Sequence, residues 1–205
     1  MTTSATLAGW TQPPRLKGSH VALEPLQPAH AGGLRDAAAD GKLWELWYTN
    51  VPMPEEVDAY VDAALVMQAN GTALAFVVRD AQGRIVGTTR YYDLLPATPR
   101  LQIGYTWYAH SVQRTGLNTE TKLLLLGHAF EALGCASVGL QTSTHNAASR
   151  AAIARLGARE EGIVRQHLRH RDGSLRDTVN FSILDSEWPA VKAGLQSKLA
   201  ARGDG

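Results

Sequence analysis

The feature that most constrains this chain is a change of pattern near its centre. Residues 100–109 read as a strand, a tight turn follows around Gly116, residues 118–133 carry helical periodicity, and residues 136–142 read as a second strand. A helix of this length between two strands returns the chain to the same end of the sheet, so the two strands run parallel. The segments before and after this unit point the other way, to strands that turn straight back on themselves. The expectation is a mixed sheet with one parallel crossover at its centre. Ligands favour the place where such a sheet changes character.

The flanking segments fill in the order. Residues 20–26 suggest an edge strand, with Val21, Leu23 and Pro25 on one parity. Residues 28–39 are alanine-rich and helical in character. Residues 54–68 form the cleanest helix: Val57, Tyr60, Val61, Ala64 and Leu65 fall on one stripe. Pro54 suits its first turn, Glu55 and Glu56 suit its dipole, and Asn70-Gly71 is a stop. Residues 73–79, 84–92 and 100–109 form an antiparallel meander, with a loop at 95–99. Residues 146–156 are a further helix closed by Gly157. Residues 162–169 and 175–184 form a hairpin about Asp172-Gly173. Residues 187–199 are a last helix. The 205 residues suit one domain, with a loose arm over 1–14 and a frayed tail over 200–205.

Composition removes several classes. A formal net charge of +1 gives no drive toward nucleic acid or an acidic membrane surface. Nor is there an apolar run of about 20 residues for a membrane span. One cysteine, Cys135, rules out an internal disulfide and suits a reducing compartment. The start of the chain lacks a basic stretch followed by an apolar core, so the cytoplasm is the expected location. His167 and His170 are an odd number apart on a strand, and no other spacing suggests a metal.

The chemistry centres on Gln113-Arg114-Thr115-Gly116-Leu117-Asn118-Thr119. The first turn of a helix has unpaired N–H groups and a partial positive charge. Glycine lets backbone come close to a ligand and accepts positive φ. Together these can cradle a diphosphate, with Arg114 adding charge. A plain strand-to-helix connection has the same look. The segment is not a P-loop, because no Gly-Lys-Ser/Thr follows.

Gln113-Arg114-Thr115-Gly116 resembles the coenzyme A motif of the GCN5-related N-acetyltransferase (GNAT) superfamily, with Asn118 in place of the final small residue. A second block, Asn146-Ala147-Ala148-Ser149 followed by Leu156-Gly157-Ala158 and Glu161-Gly162, resembles the ribosomal-protein-alanine N-acetyltransferase branch. The resemblance implies an α+β (mixed α/β) GNAT fold. Its mostly antiparallel sheet has about seven strands, helices on both faces, and a splayed parallel pair at the cofactor site. It implies acetyl-coenzyme A as co-substrate and no metal. It also implies pantetheine against the backbone of Trp107 and Tyr108, and the diphosphate on N–H groups of Arg114, Thr115, Gly116, Leu117, Asn118 and Thr119. Asn146 and Ser149 complete the cofactor contacts.

The resemblance also suggests a mechanism. Many superfamily members carry a tyrosine where this chain has Ile153. In the branch the thiolate's proton donor is instead the serine that maps to Ser149. Ser149 could equally bond only to helix backbone. The branch places substrate contacts around Trp44-Glu45-Leu46-Trp47-Tyr48, so Glu45 is a candidate base acting through water, or else a solvated surface carboxylate. Trp44, Trp47 and Tyr105 are candidates for the acceptor pocket, or for core and rim. A basic hairpin (Arg165, His167, Arg169, His170, Arg171, Arg176) could meet an acidic peptide, an aminoacyl nucleotide or a cofactor phosphate, or only solvent.

The expected activity is acetyl transfer to a primary amine (a protein N-terminus, an aminoacyl conjugate or a small amine) by direct attack in a ternary complex. An α-amine has a pKa near 8 against about 10.4 for lysine, so roughly 200-fold more of it is neutral at pH 7. This favours α-amino acceptors. The alternative is a non-catalytic coenzyme A-binding sensor or assembly protein. No nucleic acid or membrane partner is expected. A homodimer is compatible with the aromatic segments and the terminal helix.

Overall fold

The computed structural model describes residues 9–203. Thirteen elements form an eight-stranded sheet with helices on its two faces. In chain order they are β1 (Leu16–Lys17), β2 (Val21–Pro25), α1 (Ala31–Ala39), α2 (Val57–Ala69), β3 (Ala73–Asp80), β4 (Ile85–Leu95) and β5 (Arg100–Tyr108). There follow α3 (Leu117–Gly127), β6 (Ser137–Ser143), α4 (Ala147–Leu156), β7 (Arg159–Arg169), β8 (Leu175–Leu184) and α5 (Trp188–Gly203). The strand order is β1-β2-β3-β4-β5-β6-β8-β7. Every neighbouring pair is antiparallel except β5 and β6.

The reason for helices on two faces can be read from β3, whose residues Leu74 to Val78 are apolar on both parities. Leu74, Phe76 and Val78 enter one core with α3, α4 and α5, while Ala75 and Val77 enter another with α1 and α2. A strand buried on both faces must be covered on both. The hairpin joins the sheet through β8, whose Val179, Phe181 and Ile183 are buried, and leaves β7 exposed along nearly its whole length.

Four expectations need correction. The two-residue strand β1 covers the outer side of β2, which is therefore not the edge. β4 runs on through Leu95, into the span expected to be loop. The arm expected to be loose over 1–14 is packed at Trp10, which is 4% exposed and lies in the first core; residues 1–8 lie outside the described residues. The last helix continues to Gly203, so 200–203 are not frayed, and 204–205 lie outside the described residues.

Two polar contacts hold α3 in place. The buried Tyr91 hydroxyl on β4 donates to the Leu125 carbonyl at 2.6 Å. The Glu120 carboxylate accepts from the Ser19 and His20 N–H groups at 2.9 and 2.6 Å. Gly18 leaves room for it: a Cβ there would lie 2.4 Å from the Glu120 carboxyl carbon.

Candidate active site

β5 and β6 pair only from Arg100 opposite Ser137 to Ile103 opposite Leu140. Beyond that point β6 follows β8 to Ser143, and β5 follows β4 to Tyr108. The divergence coincides with a bulge. Thr88 pairs with Trp107 and Arg90 with Gly104, so Tyr105 and Thr106 together oppose Thr89. Tyr105 has φ 51°, a left-handed conformation that is rare for a bulky residue. Such a bulge bends one strand away from its neighbour.

A cavity of about 930 Å3 occupies the gap. Residues 104–108 of β5, residues 141–143 of β6, Gln113, Arg114, Thr115, Asn118 and Thr119 of the turn, and Asn146 and Ser149 of the α4 start line it; Gly116 and Leu117 do not. Arg114, Lys122, Arg155, Arg176 and Lys198 also line it, and among the described residues no aspartate, glutamate or histidine does. A concave wall with one sign of charge concentrates anionic ligands.

At the turn, the left-handed residue is Arg114 (φ 61°); Gly116 is right-handed at φ −68°, ψ −15°. Glycine's tolerance of positive φ is therefore not what this turn uses. A Cβ on Gly116 would meet Leu199 Cδ2 at 3.5 Å and His20 Cδ2 at 3.8 Å, ordinary contacts. The fold has room for a side chain there, and what glycine adds is close access to backbone. Thr115 Oγ1 donates to the Val112 carbonyl at 2.7 Å and accepts the Leu117 N–H at 3.2 Å. Leu117 itself is buried in the core.

Asn146 caps α4, its Oδ1 accepting the Ser149 N–H at 2.9 Å, and Gly157 ends the helix in the left-handed region at φ 101°. Local backbone chemistry thus explains one atom of the Asn-x-x-Ser pair. The Asn146 amide NH2 and the Ser149 hydroxyl remain for the cavity. Ile153 is buried and lines it too. Trp107 and Tyr108 line the cavity while packing into opposite cores.

Other sequence candidates are placed differently. The 3₁₀ turn Leu43–Glu45 carries Glu45 with its side chain 63% exposed, 3.8 Å from Lys42 Nζ and outside the cavity lining. Trp44 is half-buried and also outside it. Trp47, 40% exposed, rests on the rings of His145 and His170 at 5.0 and 4.8 Å. Tyr48 to Val51 reach the cavity instead. Tyr105 does line it, with the Arg90 guanidinium 4.4 Å from its ring centre.

In the basic hairpin, Arg171 is a strut: it pairs with Glu56 at 2.8 Å and donates to the Val51 carbonyl at 2.7 Å. His170 is buried, and desolvation, helped by the Arg176 charge, lowers its pKa. Within the hairpin only Arg176 lines the cavity.

Two buried cations escape the sequence reading. Arg90 is 2% exposed, with its guanidinium between the rings of Tyr60 and Tyr105. Lys122 is 6% exposed and donates from Nζ to Thr106 Oγ1 at 3.0 Å; burial lowers its pKa to about 7. A signal for it exists: Lys122 shares the stripe of Leu125, Leu126 and Ala129, all at 0% exposure. A charged residue on an apolar stripe is the informative exception.

The family profile of the acetyltransferase (GNAT) domain matches residues 20–159. The chain belongs to the GNAT acetyltransferase family. YoaA of Bacillus subtilis (strain 168), an uncharacterized N-acetyltransferase, is 29% identical over 122 residues, covering 60% of this chain and 67% of that protein. The crystal structure of a GCN5-related N-acetyltransferase from Brucella melitensis superposes with a TM-score of 0.82 at 32% identity, covering 91% of this chain and 85% of the other. RimL, a ribosomal L7/L12 alpha-N-protein acetyltransferase seen in complex with coenzyme A, shares the fold with a TM-score of 0.70 at 18% identity, covering 83% and 98%. As a GNAT member this chain is an acyltransferase, with the mixed sheet of that family. No helix among the described residues is long and apolar enough to cross a membrane.

Proposed function

We propose that this GNAT enzyme moves the acetyl group of acetyl-coenzyme A to a primary amine by direct attack in a ternary complex. The observation that carries this reading is the cavity between the diverging strands, lined by Arg114, Arg155, Arg176 and Lys198 besides the buried Lys122 and, among the described residues, by no acid, with a helix start at one end. Coenzyme A bears a diphosphate and a further phosphate, which suit such a wall. The N–H groups of the 113–119 turn would hold the diphosphate, and Asn146 and the open edge of β5 would hold the amide-rich arm. A backbone N–H at the open edge would stabilise the carbonyl oxygen as it gains charge. The Ser149 hydroxyl would give the leaving sulfur a proton.

The acceptor would enter past Tyr48, Asn50 and Tyr105. The charged residues of the described lining are all cations and disfavour a further positive charge, so the acceptor must arrive as a neutral amine. That preference favours an α-amine over a lysine.

The test follows release of free thiol from acetyl-coenzyme A. The acceptors are peptides with free and blocked N-termini, aminoacyl-nucleotide analogues, amino acids and polyamines. Release is expected with free N-terminal amines and not with blocked ones. Tight cofactor binding without release on any acceptor would favour a sensor that only binds.

A further inference from the structure

We propose that Lys122 is the proton acceptor of this transfer, taking the proton that the acceptor amine must lose. The proposal rests on the transferase reading above. In that reaction the amine nitrogen attacks the thioester carbonyl carbon, the C–N bond forms and the C–S bond breaks. Sulfur leaves with the C–S electron pair and takes up the Ser149 hydroxyl proton, which solvent restores to the serine. The nitrogen carries one proton more than the amide product, and a base must receive it. Lys122 Nζ receives it and later passes it to solvent.

The cavity offers no other base of the usual kind. Among the described residues its lining holds no carboxylate and no imidazole, and Glu45 lies outside it. The other side-chain nitrogens of the lining include three guanidiniums, a donor-only group that does not serve as a base. Lys198 is exposed and donates to the Arg155 carbonyl. Burial raises the pKa of Tyr108, so its phenol stays protonated.

Lys122 differs from these cations in its surroundings. Its Nζ reaches one hydroxyl, Thr106 Oγ1, which is bonded in turn to Thr89 Oγ1 at 2.8 Å. An ammonium brings three donors to this place, a free amine two and a lone pair. The acids and other cations packed nearby are turned elsewhere. Glu120, on the same helix, is bonded to the Ser19 and His20 N–H groups. His128, further along, stacks on Tyr91 at 5.9 Å. Arg90 on β4 lies between Tyr60 and Tyr105. Desolvation alone then lowers the lysine to about 7, where both protonation states are populated. Thr106 sits on the bulge that opens the sheet, so the base lies beside the gap that takes the acyl group.

The test compares wild type with Lys122→Met and Lys122→Arg, using a peptide with a free N-terminus as acceptor. The expected result is unchanged coenzyme A affinity in calorimetry for Lys122→Met, with kcat lower by roughly 10²–10³-fold. The wild-type limb of log kcat rising through pH about 7 should vanish in that variant. Arginine should not restore the rate, because it keeps its proton. Rescue by arginine, a kcat within about threefold of wild type, or a loss of cofactor affinity equal to the loss of rate would each overturn the proposal. A second readout uses protein labelled with 13C at lysine Cε. A Lys122 signal titrating near pH 7 supports the proposal, and one titrating like an ordinary lysine overturns it. Wild type that acetylates none of the acceptors would defeat the transferase reading and this proposal together. Turnover unaffected by Lys122→Met would defeat this proposal alone.

Discussion

From Arg100 to Ile103, β5 is hydrogen-bonded on both sides, antiparallel to β4 and parallel to β6; from Gly104 to Tyr108 it keeps β4 and loses β6. The first half is ordinary core, with Leu101 and Ile103 nearly inaccessible. The second half carries a left-handed tyrosine, a bulge and one wall of the cavity. The same strand thus builds a sheet and then opens it, within nine residues. Where β6 is gone, side chains take over part of the bonding: the Gly104 carbonyl accepts from Thr89 and Thr106, the Tyr105 carbonyl from Tyr60 and the Tyr108 carbonyl from Gln113. The comparison teaches that the cavity is made first by where β5 parts from β6, and only then by the side chains that line it.

That contrast can be broken at several points. The largest effect on rate, after that of Lys122, is expected from Ser149→Ala in the open half. Its kcat should fall by roughly 10²-fold, at a coenzyme A affinity unchanged in calorimetry. A loss of affinity with kcat intact would make Ser149 a cofactor contact only. Glu120→Gln should act on stability, because it weakens two charge-assisted hydrogen bonds that tie α3 to the β1–β2 turn. Urea denaturation should show a loss of about 1–3 kcal/mol. The smallest effect is expected from Glu45→Gln, whose carboxylate is exposed and outside the cavity. Its rate should stay within about threefold of wild type, and a larger fall would restore Glu45 as a base.

The sequence made the closed half of this comparison legible. Strand and helix periods, the Asn70-Gly71 and Asp172-Gly173 turns, and the strand-turn-helix-strand unit correspond to observed elements within a few residues. The turn and helix start after β5 were also legible, because they are local features; Gln113, Arg114, Thr115, Asn118 and Thr119 of that turn line the cavity, and Gly116 does not. The open half was not legible. A bulge at Tyr105 arises from how β4 and β5 twist against each other, and no residue there announces it; tyrosine is among the last to expect at positive φ. Trp44 and Glu45 looked central because aromatic and acidic residues stand out in a sequence, yet the short 3₁₀ turn leaves both outside the cavity lining. Lys122 stands as a mismatch on the α3 stripe, but only its burial in the cavity lining beside the bulge of β5 gives that mismatch a chemical meaning.

The most direct test of the account is calorimetric titration of coenzyme A into wild type and Gly116→Val. A Cβ at Gly116 fits the protein, so loss of binding there reports on the ligand rather than the fold. Wild type should show one site per chain and the variant at least roughly 10²-fold weaker binding, with unfolding midpoints within a few degrees of each other. Equal affinities would place the diphosphate elsewhere and contradict the account.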